Sequence, residues 1–107
     1  NAVAMAKANL LVEGAGHSAA LHSDNDENIQ TAGIELPISR LVVNQPSSTT
    51  AGGSLTNGFA PTTTLGCGSW GGNSISENLD YKHLMNVSRI GKVIVDKEVP
   101  PDEEIWA

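Results

Sequence analysis

Val3, Ala6 and Leu10 recur every three to four residues in an alanine-rich run from Asn1 to Val12. This spacing predicts a helix, which Gly14 and Gly16 can stop. Gly16 to Ser23 places small apolar residues between polar ends, the pattern of a short strand covered on both faces. Asp24, with Glu27 three residues later, marks a second helix start, and Ile29, Ala32 and Leu36 fall on one side before Pro37 ends it. Ile38 to Asn44 is short, β-branched and bounded by Pro37 and Pro46, which predicts a second strand. The 15 residues from Ser23 to Pro37 suffice for a helical crossover and are too many for a hairpin. The strands are therefore expected to be parallel neighbours in a βαβ unit, and the fold class α/β. Ligands on such sheets collect beyond the carboxyl ends of the strands, where the Gln45 to Gly58 loop begins.

Periodicity fails from Asn57 to Leu79. This stretch holds five of the 11 glycines, the lone cysteine Cys67, and Trp70. Glycine at that density is kept where the backbone needs positive φ or close approach, so the stretch reads either as a site loop or as glycine turns joining two elements. Beyond it, Leu79 to Met85 predicts a short helix and Val87 to Val95 a strand. The two faces of that strand, Val87, Arg89, Gly91, Val93, Val95 and Ser88, Ile90, Lys92, Ile94, both carry apolar residues. A strand so patterned is expected to pair with something outside the chain. The tail from Asp96 to Ala107 is acidic and ends with Ile105 and Trp106 as an expected apolar anchor.

A chain of 107 residues makes at most one domain, burying roughly 60 to 70% of its unfolded surface. With one Phe and one Tyr beside two Trp, the core must come from Ala, Val, Leu and Ile, as in an α/β layer. The net charge of −6 and the absence of a Lys or Arg cluster argue against nucleic acid, which needs a basic face. A single cysteine cannot form an internal disulfide, and no apolar run of about 18 residues offers a membrane span. The expectation is a soluble, cytoplasmic protein that does not engage membranes.

Thr64-Leu-Gly-Cys-Gly-Ser-Trp-Gly-Gly-Asn-Ser-Ile-Ser-Glu-Asn78, with Ala60-Pro61 before it and Lys82-His83-Leu84 after it, resembles the C-terminal signature of CoA-acylating aldehyde dehydrogenases. That group includes the acetaldehyde, propionaldehyde and succinate-semialdehyde enzymes and the aldehyde half of bifunctional aldehyde-alcohol dehydrogenases. Weaker similarity runs through Gly16 to Ser18, Leu41 to Ser48 and Asn86 to Ile94. The resemblance, with the start on Asn1, implies a fragment of a larger polypeptide, its rest lying upstream. Residues 1–85 would be the C-terminal part of the catalytic domain with its glycine-rich active-site loop, and 86–107 an oligomerisation strand and acidic tail. It further implies an aldehyde substrate, NAD or NADP as cofactor, CoA as co-substrate, and a homo-oligomer. A second reading, from a different class, is a stand-alone acidic binding or assembly module that would bind at Gln45 to Gly72.

An acylating dehydrogenase needs a cysteine nucleophile, but the resemblance places that thiol upstream and matches Cys67 to a second cysteine at the active-site wall. A lone cysteine is otherwise a small buried hydrophobe. His17 matches a family histidine beside the nucleophile, positioned to polarise the aldehyde or hold the CoA thiol; the structural alternative is a strand-end histidine bonded to backbone. Thr64, Leu65, Gly66, Cys67 and Gly68 would shape the acyl and CoA side of the pocket, with backbone N–H groups as candidate donors to the reacting oxygen. His17, His22, Cys67 and His83 lack the paired spacing of a zinc site, so no metal is expected. His83 is expected to face solvent or cap the short helix. No phosphate-loop or dinucleotide motif is present, and the residues that bind the dinucleotide are not assigned in this stretch.

Overall fold

The protein, whose residues 2–106 are described by a computed structural model, begins with helix α1 (Ala2–Glu13) and strand β1 (Gly16–Leu21). Helix α2 (Asp26–Glu35) and strand β2 (Ile38–Val43) follow. Asn1 and Ala107, the outer ends of the expected first helix and of the tail, lie outside the described residues. The two strands pair in parallel, with Gly16 opposite Ile38, Ser18 opposite Arg40 and Leu21 opposite Val43. The expected βαβ unit is thus present. Val3, Ala6 and Leu10 of α1 and Ala19, Leu21 and Leu41 of the sheet pack against a buried centre of Ala32, Leu36 and Ile38. An exposed pair, Lys7 Nζ to Glu35 Oε2 at 2.9 Å, links the two helices and adds little to stability.

The start of α2 lies one residue later than expected. Asn25, not Asp24, is the cap, and its Oδ1 accepts from the Asn28 N–H at 3.0 Å. Asp26 and Glu27 in the first turn then meet the positive end of the helix. At the far end of the strands Asn44 adopts φ 55°, a left-handed conformation that asparagine tolerates better than most residues. Its side chain clamps the Ser23 backbone, accepting from N–H at 2.9 Å and donating to C=O at 3.0 Å.

The Gln45–Gly58 segment is ordered by its own polar side chains and is not a linker. It opens with the short helix α3 (Ser47–Thr50); Asn57 Nδ2 donates to the Thr50 carbonyl at 2.9 Å, and Ala51 is buried. The glycine-rich stretch doubles back on itself. Leu65 forms an antiparallel bridge with Asn78, flanked by Gly66 N–H to Glu77 C=O at 3.1 Å and Leu79 N–H to Thr64 C=O at 3.0 Å. The expected short helix is a 3-10 turn over Tyr81–Leu84. His83 caps it rather than facing solvent: its Nδ1 accepts from the Asp80 N–H at 2.8 Å, and its side chain is only 12% exposed. Nε2 of the same ring lies 3.1 Å from Glu77 Oε1. Lys82 first, and then His83, hold the Glu77 carboxyl below its ordinary value by hydrogen bonds.

Val87 to Val95 forms no ladder with any described residue. A strand is defined by its hydrogen-bonded neighbour, and here Ile90, Val93 and Val95 are each 88% exposed. The tail ends in a one-turn helix, α4 (Asp102–Ile105). Trp106, expected as an anchor, is 82% exposed and is not packed into the core of the described residues. The radius of gyration is 19.2 Å, against about 13 Å for a compact chain of this length. No helix among the described residues is long and apolar enough to cross a membrane.

Candidate active-site wall

His17 is the second residue of β1, and its exposed side chain stands between two open hollows. One, about 410 Å³, is lined by His17, Ser18, Ser47, Gly52, Thr62 and Leu65 among others. The other, about 500 Å³, lies between His17 and the glycine loop, with Glu13, Cys67, Trp70 and Asn73 on its walls. The structure therefore brings His17, Leu65 and Cys67 to one surface. Thr64 and Gly66 belong to the same doubled-back loop as backbone partners, and Gly68 turns it. His22 lines neither hollow.

Close backbone approach accounts for two of the glycines. A Cβ on Gly16 would overlap the carbonyl oxygen of Cys67, and Gly16 has φ +98°, where side-chain-bearing residues are rare. A Cβ on Gly66 would lie 2.6 Å from the Ile75 carbonyl oxygen. The first contact docks the loop onto the start of β1 and so brings Cys67 beside His17, and the second holds the two arms of the loop together.

Three of the loop amides expected as donors are engaged within the loop itself. Gly66 N–H donates to Glu77 C=O, Cys67 N–H to Asn73 Oδ1 at 2.9 Å, and Gly68 N–H to Ile75 C=O at 2.7 Å. Each is used inside the loop, because a doubled-back segment must satisfy its own donors, and none of the three remains for a reacting oxygen. The Cys67 thiol is half-buried, and its Sγ lies 3.9 Å from the Leu65 carbonyl, the contact of a weak donor packed in a wall.

Sequence reasoning missed a polar hub under this surface. Arg40 is buried on the face of β2 opposite to Leu41 and takes part in none of the ion pairs among the described residues. Its Nε donates to Ser18 Oγ at 3.0 Å, Nη1 to Asn78 Oδ1 at 3.4 Å and Nη2 to the His17 carbonyl at 3.4 Å. Asn78, also buried, donates through Nδ2 to the carbonyls of Ala51 at 3.0 Å and Ala60 at 2.8 Å. One arginine and one asparagine thereby tie β1, β2, the α3 segment and the glycine loop together. The available signal was a single arginine, next to Ser39, inside a strand that is otherwise aliphatic.

The wall offers a pyrophosphate no free Lys or Arg: Arg40 is the one such residue lining either hollow or the depression beside Ser39, Phe59 and Asn78, and its Nε, Nη1 and Nη2 each already donate within the fold.

Comparison with known proteins gives a consistent relationship. Over 105 residues the chain is 70% identical to the acetylating succinate-semialdehyde dehydrogenase of Clostridium kluyveri, covering 98% of this chain and 23% of that protein. Over 93 residues it is 44% identical to a sulfoacetaldehyde dehydrogenase of an Acholeplasma species, covering 87% and 19%. In fold it matches a probable aldehyde dehydrogenase of Listeria monocytogenes EGD-e with a TM-score of 0.79 and 38% identity, covering 97% of this chain and 22% of that one. An acetylating aldehyde dehydrogenase of Geobacillus thermoglucosidasius gives 0.78 and 33%, with 94% and 22% covered. No protein-family profile matches. The chain spans less than a quarter of the length of each of these relatives. In sequence and in fold, it corresponds to a segment of the acylating aldehyde dehydrogenases.

Proposed function

We propose that the complete protein containing this segment converts an aldehyde, CoA and NAD(P)+ into an acyl-CoA thioester, NAD(P)H and a proton. In this reading an upstream thiol adds to the aldehyde, the adduct is oxidised to an enzyme thioester as NAD(P)+ is reduced, and CoA takes the acyl group from that thioester. The segment supplies one wall of the pocket. His17 faces the reacting carbonyl or the incoming thiol, and Leu65 and Cys67 shape the acyl side. The observation that carries this reading is the 70% identity across 98% of the chain to an acetylating dehydrogenase, on a fold that sets His17 and the glycine loop around shared hollows. The stand-alone module gains no support from either the fold or the comparisons. The need for soluble NAD(P)+ and CoA fits a cytoplasmic location. Incubating the complete protein with aldehyde, CoA and NAD(P)+ should yield acyl-CoA and NAD(P)H in equal amounts. NAD(P)H formed with free acid, at a rate indifferent to CoA, would refute it.

Two variants follow from the same reading. Cys67→Ala in the complete enzyme should keep most of its turnover, because the half-buried thiol is a wall residue whose loss removes packing rather than chemistry. Steady-state kinetics check this, and complete inactivity of a folded variant would contradict it. The second concerns assembly. The exposed apolar run from Val87 to Val95 has no strand partner among the described residues, and an unpaired edge of this kind is completed by another chain. The complete enzyme is therefore proposed to be a homo-oligomer in which this run joins a neighbour's sheet. Ile90→Pro removes a ladder donor and should shift the assembly toward monomer in light scattering. An unchanged mass would rule this pairing out.

A further inference from the structure

We infer that Arg40, acting through Ser18, fixes the ring tautomer of His17, so that the neutral imidazole carries its proton on Nε2. The inference rests on the proposed role of His17 for its meaning, but its geometry is independent of that role. Ser18 Oγ lies 3.0 Å from Arg40 Nε and 3.2 Å from His17 Nδ1. A guanidinium has donors only, so the hydroxyl must accept from Arg40. Its own hydrogen then has one protein acceptor, His17 Nδ1. In the opposite tautomer the ring would donate to the hydroxyl's second lone pair and leave the hydroxyl hydrogen without a partner among the described residues.

Arg40 cannot turn away from this duty. It is buried, its other two nitrogens are held by Asn78 and by the carbonyl of His17 itself, and Asn78 is held in turn by Ala51 and Ala60. The relay is therefore anchored in the buried part of the fold, whereas the His17 ring stands at the exposed surface. With Nδ1 occupied as an acceptor, Nε2 has no hydrogen-bond partner among the described residues and is the ring's donor. His17 then meets a carbonyl oxygen as an N–H donor, and Ser18 and Arg40 are positioning residues.

The test uses the complete enzyme labelled with 15N-histidine, with His17→Gln assigning the ring signals, at a pH where the ring is neutral. Two-bond proton–nitrogen correlations should show the proton on Nε2 and Nδ1 shifted as a hydrogen-bonded acceptor. In Ser18→Ala, Nδ1 should move to the position of an acceptor without a donor and an Nδ1–H form should appear, while Ser18→Thr, which keeps the hydroxyl, should resemble wild type. Turnover should fall about tenfold in Ser18→Ala, within the range for a misoriented catalytic group, with KM near wild type and rescue in Ser18→Thr. A proton on Nδ1 in the wild type, or ring signals indifferent to Ser18→Ala, would overturn the inference. The ring signals do not depend on turnover, so an enzyme inactive with every aldehyde but showing the expected spectra would refute the proposed function alone.

Discussion

Gly16→Ala should destabilise the complete enzyme by about 2–6 kcal/mol, the sum of a strained backbone and an overpacked contact. Both costs arise at one atom. At φ +98° a Cβ is disfavoured in any surroundings, and here it would meet the Cys67 carbonyl oxygen, which belongs to backbone and cannot rotate away. Relief requires the glycine loop to lift off the start of β1, where Gly16 N–H also donates to the Pro37 carbonyl at 2.7 Å. Turnover should therefore fall together with stability, since lifting the loop opens the pocket wall beside His17. Urea unfolding checks the first part: an unfolding free energy within about 0.5 kcal/mol of wild type, the range of an ordinary surface change, would mean that the loop is not seated on β1.

His17→Ala should have the opposite profile. The side chain is exposed, so stability should stay near wild type, while kcat falls about 100-fold, as for loss of a positioned acid or base. Cofactor affinity should hardly change, because this wall offers the dinucleotide's pyrophosphate no free Lys or Arg. Stopped-flow and steady-state kinetics on the folded variant measure both quantities. Wild-type turnover would return His17 to the role of a strand-end histidine.

The elements that bury one apolar stripe were legible in the sequence. Val3, Ala6 and Leu10, then Ile29, Ala32 and Leu36, announce two helices by spacing alone, and Ile38 to Val43 announces a strand by its β-branched run. What stayed hidden was polar. Arg40 looks like an interruption of an apolar strand until Ser18, Asn78 and the His17 carbonyl are seen around its guanidinium, partners 22, 38 and 23 residues away. The glycine loop carries no period because its order comes from backbone bonds to itself and from Asn73 and Asn78, not from a buried face. The same bonds engage the amides of Gly66, Cys67 and Gly68, three of those that had been expected to face a ligand. For Val87 to Val95 the apolar pattern was readable, but no described residue pairs with it to make it a strand.

Trapping the acyl-enzyme distinguishes a pocket wall from the source of the nucleophile. Aldehyde and NAD(P)+ supplied to the complete enzyme without CoA should leave the acyl group on a thiol, and peptide mapping by mass spectrometry locates it. A wall role for this segment predicts an acylated cysteine outside these 107 residues, with Cys67 recovered unmodified. An acyl group on Cys67, lost in Cys67→Ala together with turnover, would contradict it.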